Sequence, residues 1–242
     1  ATNELWEWRD KGFHFIELED GAEAPPALHH GAVTFDISRR RLIVFGGATN
    51  SLTHDGASNA LWEWDDREWV EFTARPGQGP EARAFHEMVY DETDGVSLVF
   101  GGVLADGSLS DELWSWDGTS WEDVRQVGSK PSARKSPNMA YDVKRKKVVL
   151  FGGEDAAGNT LQDTWEWDGT TWEEKTDTQG EAPPRAYEGG MAYDMVRKVV
   201  TLLASEATDD VSFWQWDGRN WSQVLLAQKP TAALNMPMAY DK

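Results

Sequence analysis

Short apolar runs recur along the chain, and each is preceded by a shorter segment that ends in an aromatic residue and aspartate. The runs read RLIVFGG (41–47), VSLVFGG (96–102), KVVLFGG (147–153) and KVVTLLA (198–204). The preceding segments read VTFD (33–36), MVYD (88–91), MAYD (139–142) and MAYD (191–194), and MAYD recurs at 238–241. No stretch has the spacing of three to four residues that an amphipathic helix requires. The pattern therefore predicts β-strands throughout.

Two further strands are predicted downstream of each run by tryptophans. The pairs are Trp6/Trp8, Trp62/Trp64, Trp114/Trp116, Trp165/Trp167 and Trp214/Trp216, and Phe13, Trp69, Trp121, Trp172 and Trp221 follow five residues later. Alternation along a strand places both tryptophans of a pair on one face. The Asp-Gly that follows most pairs favours a tight hairpin, so the lone aromatic residue begins an antiparallel strand. One unit is thus four antiparallel strands.

Four such strands repeated about every fifty residues are typical of a β-propeller. The sequence resembles the kelch-repeat family, in a bacterial style, through its glycine doublets, the aromatic-Asp step, the later tryptophan and the arginine of PEARAFHEMVYD (80–91). The resemblance implies a structural role for Gly46, Gly47, Gly101, Gly102, Gly152, Gly153, Trp64, Trp69, Trp116, Trp121, Trp167, Trp172, Trp216 and Trp221. The fourth unit departs from the pattern, because Leu203 and Ala204 replace the doublet.

We expect an all-β, kelch-type propeller that forms a single domain over residues 1–242. The predicted blade units are 27–75, 82–127, 133–176 and 185–226, with a fifth made from 1–18 and 232–242. Strands from both termini would close this fifth blade and remove exposed sheet edges. Its second strand is missing from the sequence, so a fragment of a six- or seven-bladed propeller is the alternative.

Polar residues gather in the loops that lead into the first strand of each unit. The kelch resemblance implies that these loops crowd one mouth of the central channel, together with the loops between second and third strands. The latter are acidic but lack the register of a calcium-binding loop. The candidate ligand-binding residues are His30, Arg83, Phe85, His86, Arg134, Asn138, Arg185, Tyr187, Glu188 and Asn235.

Three interpretations of these mouth residues remain open. Arginines and histidines could brace neighbouring blades by bonding loop carbonyls that would otherwise be buried unpaired. They could instead form a recognition surface for a peptide or a sugar, with Phe85 and Tyr187 as stacking platforms. A divalent-cation site from His29, His30, His86 and Glu188 is the third, although no His-x-His or HExxH spacing supports it. No cofactor is otherwise expected.

We expect a non-catalytic recognition or scaffold propeller that binds a protein, a peptide or a glycan. The alternative is an enzyme of the mutarotase, isomerase or lyase type that uses His86 and Glu188 at the channel mouth. The copper-radical oxidases that share the kelch fold need a tyrosine cross-linked to cysteine. This chain has no cysteine, which excludes that chemistry. No residue is assigned a catalytic role.

Composition narrows the partners further. The 23 basic and 42 acidic residues give a formal net charge of −19, which repels nucleic acid and anionic membranes. No apolar stretch is long enough to span a membrane. A basic peptide or a larger assembly suits this charge, and an extracellular or cell-surface setting is favoured over a cytoplasmic one.

Overall fold

The computed structural model describes residues 3–19, 21–176, 182–184, 189–205, 211–226 and Met238, and these residues form strands and loops. None of them belongs to a helix that could cross a membrane. The strands are β1 (Leu5–Arg9), β2 (Gly12–Ile16), β3 (Ala32–Asp36), β4 (Arg41–Phe45), β5 (Ala60–Trp64), β6 (Trp69–Thr73), β7 (Arg83–Ala84), β8 (Glu87–Asp91), β9 (Val96–Phe100), β10 (Val103–Leu104), β11 (Leu113–Trp116), β12 (Trp121–Asp123), β13 (Asn138–Asp142), β14 (Lys147–Phe151), β15 (Thr164–Trp167), β16 (Trp172–Glu174), β17 (Gly190–Asp194), β18 (Val199–Ser205), β19 (Val211–Trp216) and β20 (Trp221–Val224).

Four four-stranded antiparallel sheets form the blades of a β-propeller, which confirms the predicted fold class. Blade 1 is β3-β4-β5-β6, blade 2 is β8-β9-β11-β12, blade 3 is β13-β14-β15-β16 and blade 4 is β17-β18-β19-β20. The first strands are innermost, because β3 contacts β8, β8 contacts β13 and β13 contacts β17. The short strands β7 and β10 pair with each other above blade 2.

The N-terminal hairpin β1-β2 packs on the tryptophan-bearing face of blade 1, the face turned away from blade 2. Leu5, Ile16 and Leu18 contact the buried tryptophans of that blade, Trp62, Trp64 and Trp69. This is where a preceding blade would lie, as the sequence predicts for the fifth unit. The rest of that unit, residues 232–242, falls outside the described residues except for Met238. Closure by both termini, and the blade count, stay predictions.

The hydrophobic core lies between the blades, where an aromatic pair recurs. The phenylalanine that ends a second strand packs on the tryptophan that begins the fourth strand of the next blade. The ring centroids lie 5.0 Å apart in Phe45–Trp121, 5.7 Å in Phe100–Trp172 and 5.3 Å in Phe151–Trp221. Tilted and edge-on contacts of this kind add to the burial of apolar area. The tryptophan strands therefore hold neighbouring blades together.

Each glycine doublet ends a second strand and lets loops approach closely. Gly101 and Gly102 have φ angles of 76° and 95°. An added Cβ would lie 2.7 Å from the Arg134 carbonyl oxygen at Gly101, and 2.8 Å from the Ala84 carbonyl oxygen at Gly102. Blade 4 lacks the doublet, and there β18 continues to Ser205, giving seven residues instead of five.

Buried ion pairs connect blades 1 and 2, and again blades 3 and 4. Arg39 binds Asp36 and both carboxylate oxygens of Glu63 at 2.7–2.8 Å. Trp116 of blade 2 donates its indole N–H to the same Glu63 at 2.7 Å. In blade 3, Arg145 pairs with Asp142 and Glu166, and Trp216 of blade 4 donates to Glu166 at 2.8 Å. In blades 1 and 3 the middle residue of Trp-x-Trp is therefore an inter-blade acceptor.

We expect Gly102→Ala to destabilise the protein, because its Cβ would meet backbone oxygen in addition to the strain of a positive φ. The control is Gly128→Ala, whose φ of 87° is similar but whose Cβ would meet nothing within 4 Å. In urea unfolding, Gly102→Ala should lose at least about 1 kcal/mol more than the control. Equal losses would mean that close loop packing contributes nothing.

We expect Glu63→Gln to lower the free energy of unfolding by about 1–3 kcal/mol, because it removes one of the two carboxylates that pair with the Arg39 guanidinium and leaves only Asp36. Arg39 is 31% exposed, so solvent moderates the loss. Urea unfolding against Glu92→Gln, which changes an exposed carboxylate in the next blade, measures the difference. Two variants of equal stability would contradict a role for Glu63 in joining the blades.

Candidate functional site

The innermost strands of the four blades surround a cavity of about 520 Å³ at one mouth of the channel. Its lining is partly apolar and partly polar and includes Leu28–Val33, Glu87, Asn138, Met139, Gly189–Met191 and Met238. Every described blade therefore contributes to one opening, as the sequence predicts for the loops before the first strands.

Main-chain hydrogen bonds shape the rim of this opening. His30, Phe85 and Ser136 occupy the same position in blades 1, 2 and 3, and all three have left-handed φ angles, of 57°, 59° and 47°. The Phe85 N–H donates to the His30 carbonyl at 2.9 Å, and the Ser136 N–H donates to the Phe85 carbonyl at 2.7 Å. The rim thus passes from blade to blade through the backbone.

Arg83 and Arg134 lie beneath the rim and not in the opening. Arg83 is fully buried and donates to the Glu81 and Gly101 carbonyls, to Ser110 and to Glu112. Its salt bridge with Glu112 is 2.8 Å long. Desolvation outweighs this partner and lowers the pKa of the Arg83 guanidinium.

Arg134 repeats the arrangement one blade later. It is 1% exposed, donates to the Gly152 and Ser132 carbonyls, and pairs with both oxygens of Asp163 at 2.7 Å. Arg134 opposes the desolvation of Asp163, and the pKa of that carboxyl is lowered. Both arginines make the contacts expected of braces, and their use as ligand-binding groups stays a prediction.

His86 is also enclosed. Its Nε2 lies 3.1 Å from the Phe45 carbonyl, which can only accept, so Nε2 carries the proton. Nδ1 is buried with no partner among the described residues. Burial lowers the pKa of His86 to about 3, with the nearby Arg83 charge adding to the effect. The ring is therefore neutral near pH 7.

His30 and Phe85 face each other on the rim. Their rings stack at 3.9 Å with an angle of 17°, and His30 Nε2 donates to the Ser51 carbonyl at 2.8 Å. His29 lies alongside, with its ring 6.1 Å from that of His30. Among the described residues no group of three or more histidine, aspartate or glutamate side chains could hold a metal ion. The fourth ligand of the predicted cation site, Glu188, is not described.

Glu87 is the polar group in the opening that the sequence patterns did not single out. It begins β8, lines the cavity, and is half-buried. Desolvation raises the pKa of Glu87 to about 7, although the Met88 N–H acts in the opposite direction. Ala32, Asn138 and Gly190 begin the other first strands. An alignment of the first residues of these four strands could have identified Glu87, because it is the charged residue at a position where the other blades have small or neutral ones.

Asn138 is buried at the same level, and its side-chain amide lies 3.5 Å from the Phe151 carbonyl. The remaining candidates fall outside the described residues: Arg185, Tyr187, Glu188 and Asn235. The described part of the site is therefore an opening of mixed polar and apolar lining with one carboxylate, rimmed by backbone and underlain by braces.

Comparison with known proteins agrees with this architecture. The solved structure titled "Structure of YjhT" superposes with a TM-score of 0.67, covering 95% of this chain and 80% of that chain at 15% identity, which shows the fold alone. Dynein regulatory complex subunit 7 of Chlamydomonas reinhardtii is 35% identical over 36% of this chain and 8% of its own length.

Two other curated proteins are similar over longer segments. The tRNA wybutosine-synthesizing protein 4 of Aspergillus fumigatus is 32% identical over 48% of this chain and 12% of its own length. Host cell factor of Drosophila melanogaster is 24% identical over 59% of this chain and 9% of its own length. The chain thus spans only about a tenth of these relatives. The family model for the KLHDC2/KLHL20/DRC7 Kelch-repeats domain matches residues 3–194. The chain therefore belongs to the kelch-repeat family.

Proposed function

We propose that this propeller is a protein-recognition scaffold that binds an extended peptide segment of a partner at the channel mouth. A side chain of the peptide would enter the opening and meet Glu87, and the rest would lie over the rim of His30, Phe85 and Ser136. The observation that carries the proposal is the half-buried carboxylate of Glu87 in a cavity that every described blade lines.

The chemistry of the opening favours a basic or hydrogen-bond-donating side chain. A desolvated carboxylate regains favourable interactions when it meets a cation or a donor. The apolar lining from Met139 and Met191 suits the aliphatic part of a lysine or arginine side chain. The net charge of −19 attracts the same kind of partner.

The relatives give independent support for a protein partner. One of them is named as a subunit of the dynein regulatory complex, and another as a dynein chain of the flagellar outer arm. For a glycan, Phe85 is a less suitable platform, because His30 already stacks on one of its faces.

The sequence alternative, an enzyme that uses His86 for acid–base chemistry, has less support at this mouth. A general acid or base near pH 7 needs a pKa close to that value and access to the substrate. His86 has neither, since its pKa lies near 3 and its ring is enclosed.

A library of random dodecapeptides displayed on phage tests the proposal. Selected peptides should be rich in lysine or arginine, and Glu87→Gln should weaken their binding about tenfold, because it removes a charge-assisted contact. Glu92→Gln is the matched control, since it removes the same charge from an exposed turn. Selected peptides that bind the Glu87→Gln variant as tightly as the unmodified protein would refute recognition at the mouth.

The titration of Glu87 gives a second test. The folded protein holds this proton up to about pH 7, whereas the unfolded chain releases it near 4.5, so stability falls as pH rises between these values. Relative to Glu87→Gln, the unmodified protein should lose up to about 3 kcal/mol across this range. Urea unfolding at a series of pH values measures the difference. Parallel pH profiles would contradict a desolvated carboxylate in the opening.

A further inference from the structure

The interface between blades 2 and 3 differs from the two interfaces beside it. Between blades 1 and 2, and between blades 3 and 4, an arginine and a glutamate of one blade meet a tryptophan of the next. Those pairs are Arg39 with Glu63 and Arg145 with Glu166. The arginines also cover the hairpin glycine of the next blade, since an added Cβ at Gly118 would lie 2.4 Å from Arg39 Cζ.

Blade 2 keeps the aspartate that ends its first strand, Asp91, but lacks the arginine, the glutamate and the second-strand cation of this arrangement. Asp94 stands at the position of Arg39 and Arg145, three residues after the aspartate that ends the first strand. Ser115 stands at the position of Glu63 and Glu166, in the middle of the Trp-x-Trp strand. Val96 replaces Arg41 and Lys147, which in the other blades bridge to Asp65 and to Glu166.

An open groove of about 400 Å³ results at the place where the ion pair lies in the other interfaces. Asp94, Ser115, Glu122 and Trp167 line it, together with the hairpin glycine Gly169. Val96, Leu98, Asp123, Val124 and the exposed Arg125 complete its walls. No ion pair joins Arg125 to the carboxylates of the groove in the described part of the chain.

Trp167 shows that this groove is an incomplete version of the neighbouring sites. Its equivalents Trp116 and Trp216 donate their indole N–H groups to Glu63 and Glu166. Trp167 is only 2% exposed and lines the groove, and its N–H has no protein acceptor among the described residues. Unlike the indole N–H groups of Trp121 and Trp172, which are buried without a partner, this one is open to the groove, so a ligand acceptor can reach it.

Among the described residues, neither Asp94 of the groove nor the adjacent Asp91 forms an ion pair with a cation. The aspartates that end the first strands of blades 1, 3 and 4 pair with arginine at 2.7–2.8 Å. Asp91 of blade 2 is 3% exposed and interacts instead with neutral donors, the backbone N–H groups of Thr93 and Asp94 and the Tyr141 hydroxyl. Desolvation and the charge of Asp91 raise the pKa of Asp94. A cation placed here would relieve this repulsion.

We propose that the groove between blades 2 and 3 binds an arginine of a protein partner, which takes the place that Arg39 and Arg145 fill in the other interfaces. The guanidinium lies against Asp94, whose Oδ2 covers Gly169 at 3.1 Å from the place of an added Cβ, and a main-chain carbonyl of the partner segment accepts the Trp167 N–H. A planar guanidinium fits a site that holds one in two homologous positions, whereas a lysine ammonium lacks the fork of donors. This surface is separate from the channel mouth.

Titration with the blocked tripeptide acetyl-Gly-Arg-Gly-amide tests the site, followed by ¹H–¹⁵N NMR of the tryptophan indole N–H groups. The Trp167 signal, identified through Trp167→Phe, should shift saturably with a dissociation constant of about 1 mM, as expected for a few contacts. The tripeptide with citrulline in place of arginine should bind about tenfold more weakly, because citrulline is nearly isosteric and uncharged. An equal response to both tripeptides would overturn the proposal.

Two variants separate this site from other causes. Asp94→Arg combined with Ser115→Glu rebuilds the ion pair of blades 1 and 3, so it should abolish binding and unfold at no lower urea concentration. Asp94→Asn changes one exposed residue and should weaken binding about tenfold. It tests the site even when the doubly substituted chain fails to fold. Glu87→Gln should leave this binding unchanged, since it alters only the channel mouth. Binding that persists in Asp94→Asn, or that is lost in Glu87→Gln, would refute the assignment.

Discussion

The structure depends on the packing of each blade against the next one. A four-stranded sheet of this size has two faces to bury and no helix to cover them, so only another sheet can do so. The recurring contact is a second-strand phenylalanine against the fourth-strand tryptophan of the following blade, as in Phe45 with Trp121. The core therefore consists of the interfaces between neighbouring blades, which we call seams, and each blade needs its neighbour to bury its apolar face.

Several buried polar groups also hold neighbouring blades and loops together, and so are not available to a ligand. Arg83 and Arg134 satisfy carbonyl and carboxylate oxygens where a strand ends and a loop turns back. Glu63 and Glu166 accept from the next blade at the opposite end of the seam. Because these charges are used within the fold, the surface available for recognition is defined by what they leave open: the mouth around Glu87 and the groove beside Trp167.

The four-stranded antiparallel units and their order along the chain could be predicted from the sequence, because alternation, glycine doublets and tryptophan spacing are local properties. The short pair β7 and β10 carries none of these patterns and was not predicted. Residue roles were harder to predict. Arg83 and His86 looked available in a loop, yet the fold encloses them, since burial depends on the neighbouring blade. The sequence does not mark Glu87 as a site residue, because it begins an ordinary apolar strand and its surroundings in the cavity come from three other blades. The absent arginine at Asp94 becomes visible only when the units are aligned and their seams compared.

At the rim of the channel the main chain determines the shape of the site, whereas the side chains determine its chemistry. His30, Phe85 and Ser136 have unrelated side chains, but their main chains share one conformation and one hydrogen-bonded course. Selection can therefore replace the side chain at any of these positions while the frame persists, provided the residue tolerates a left-handed backbone. Binding specificity could then change through a substitution in one blade at a time, while the repeated backbone keeps the same conformation.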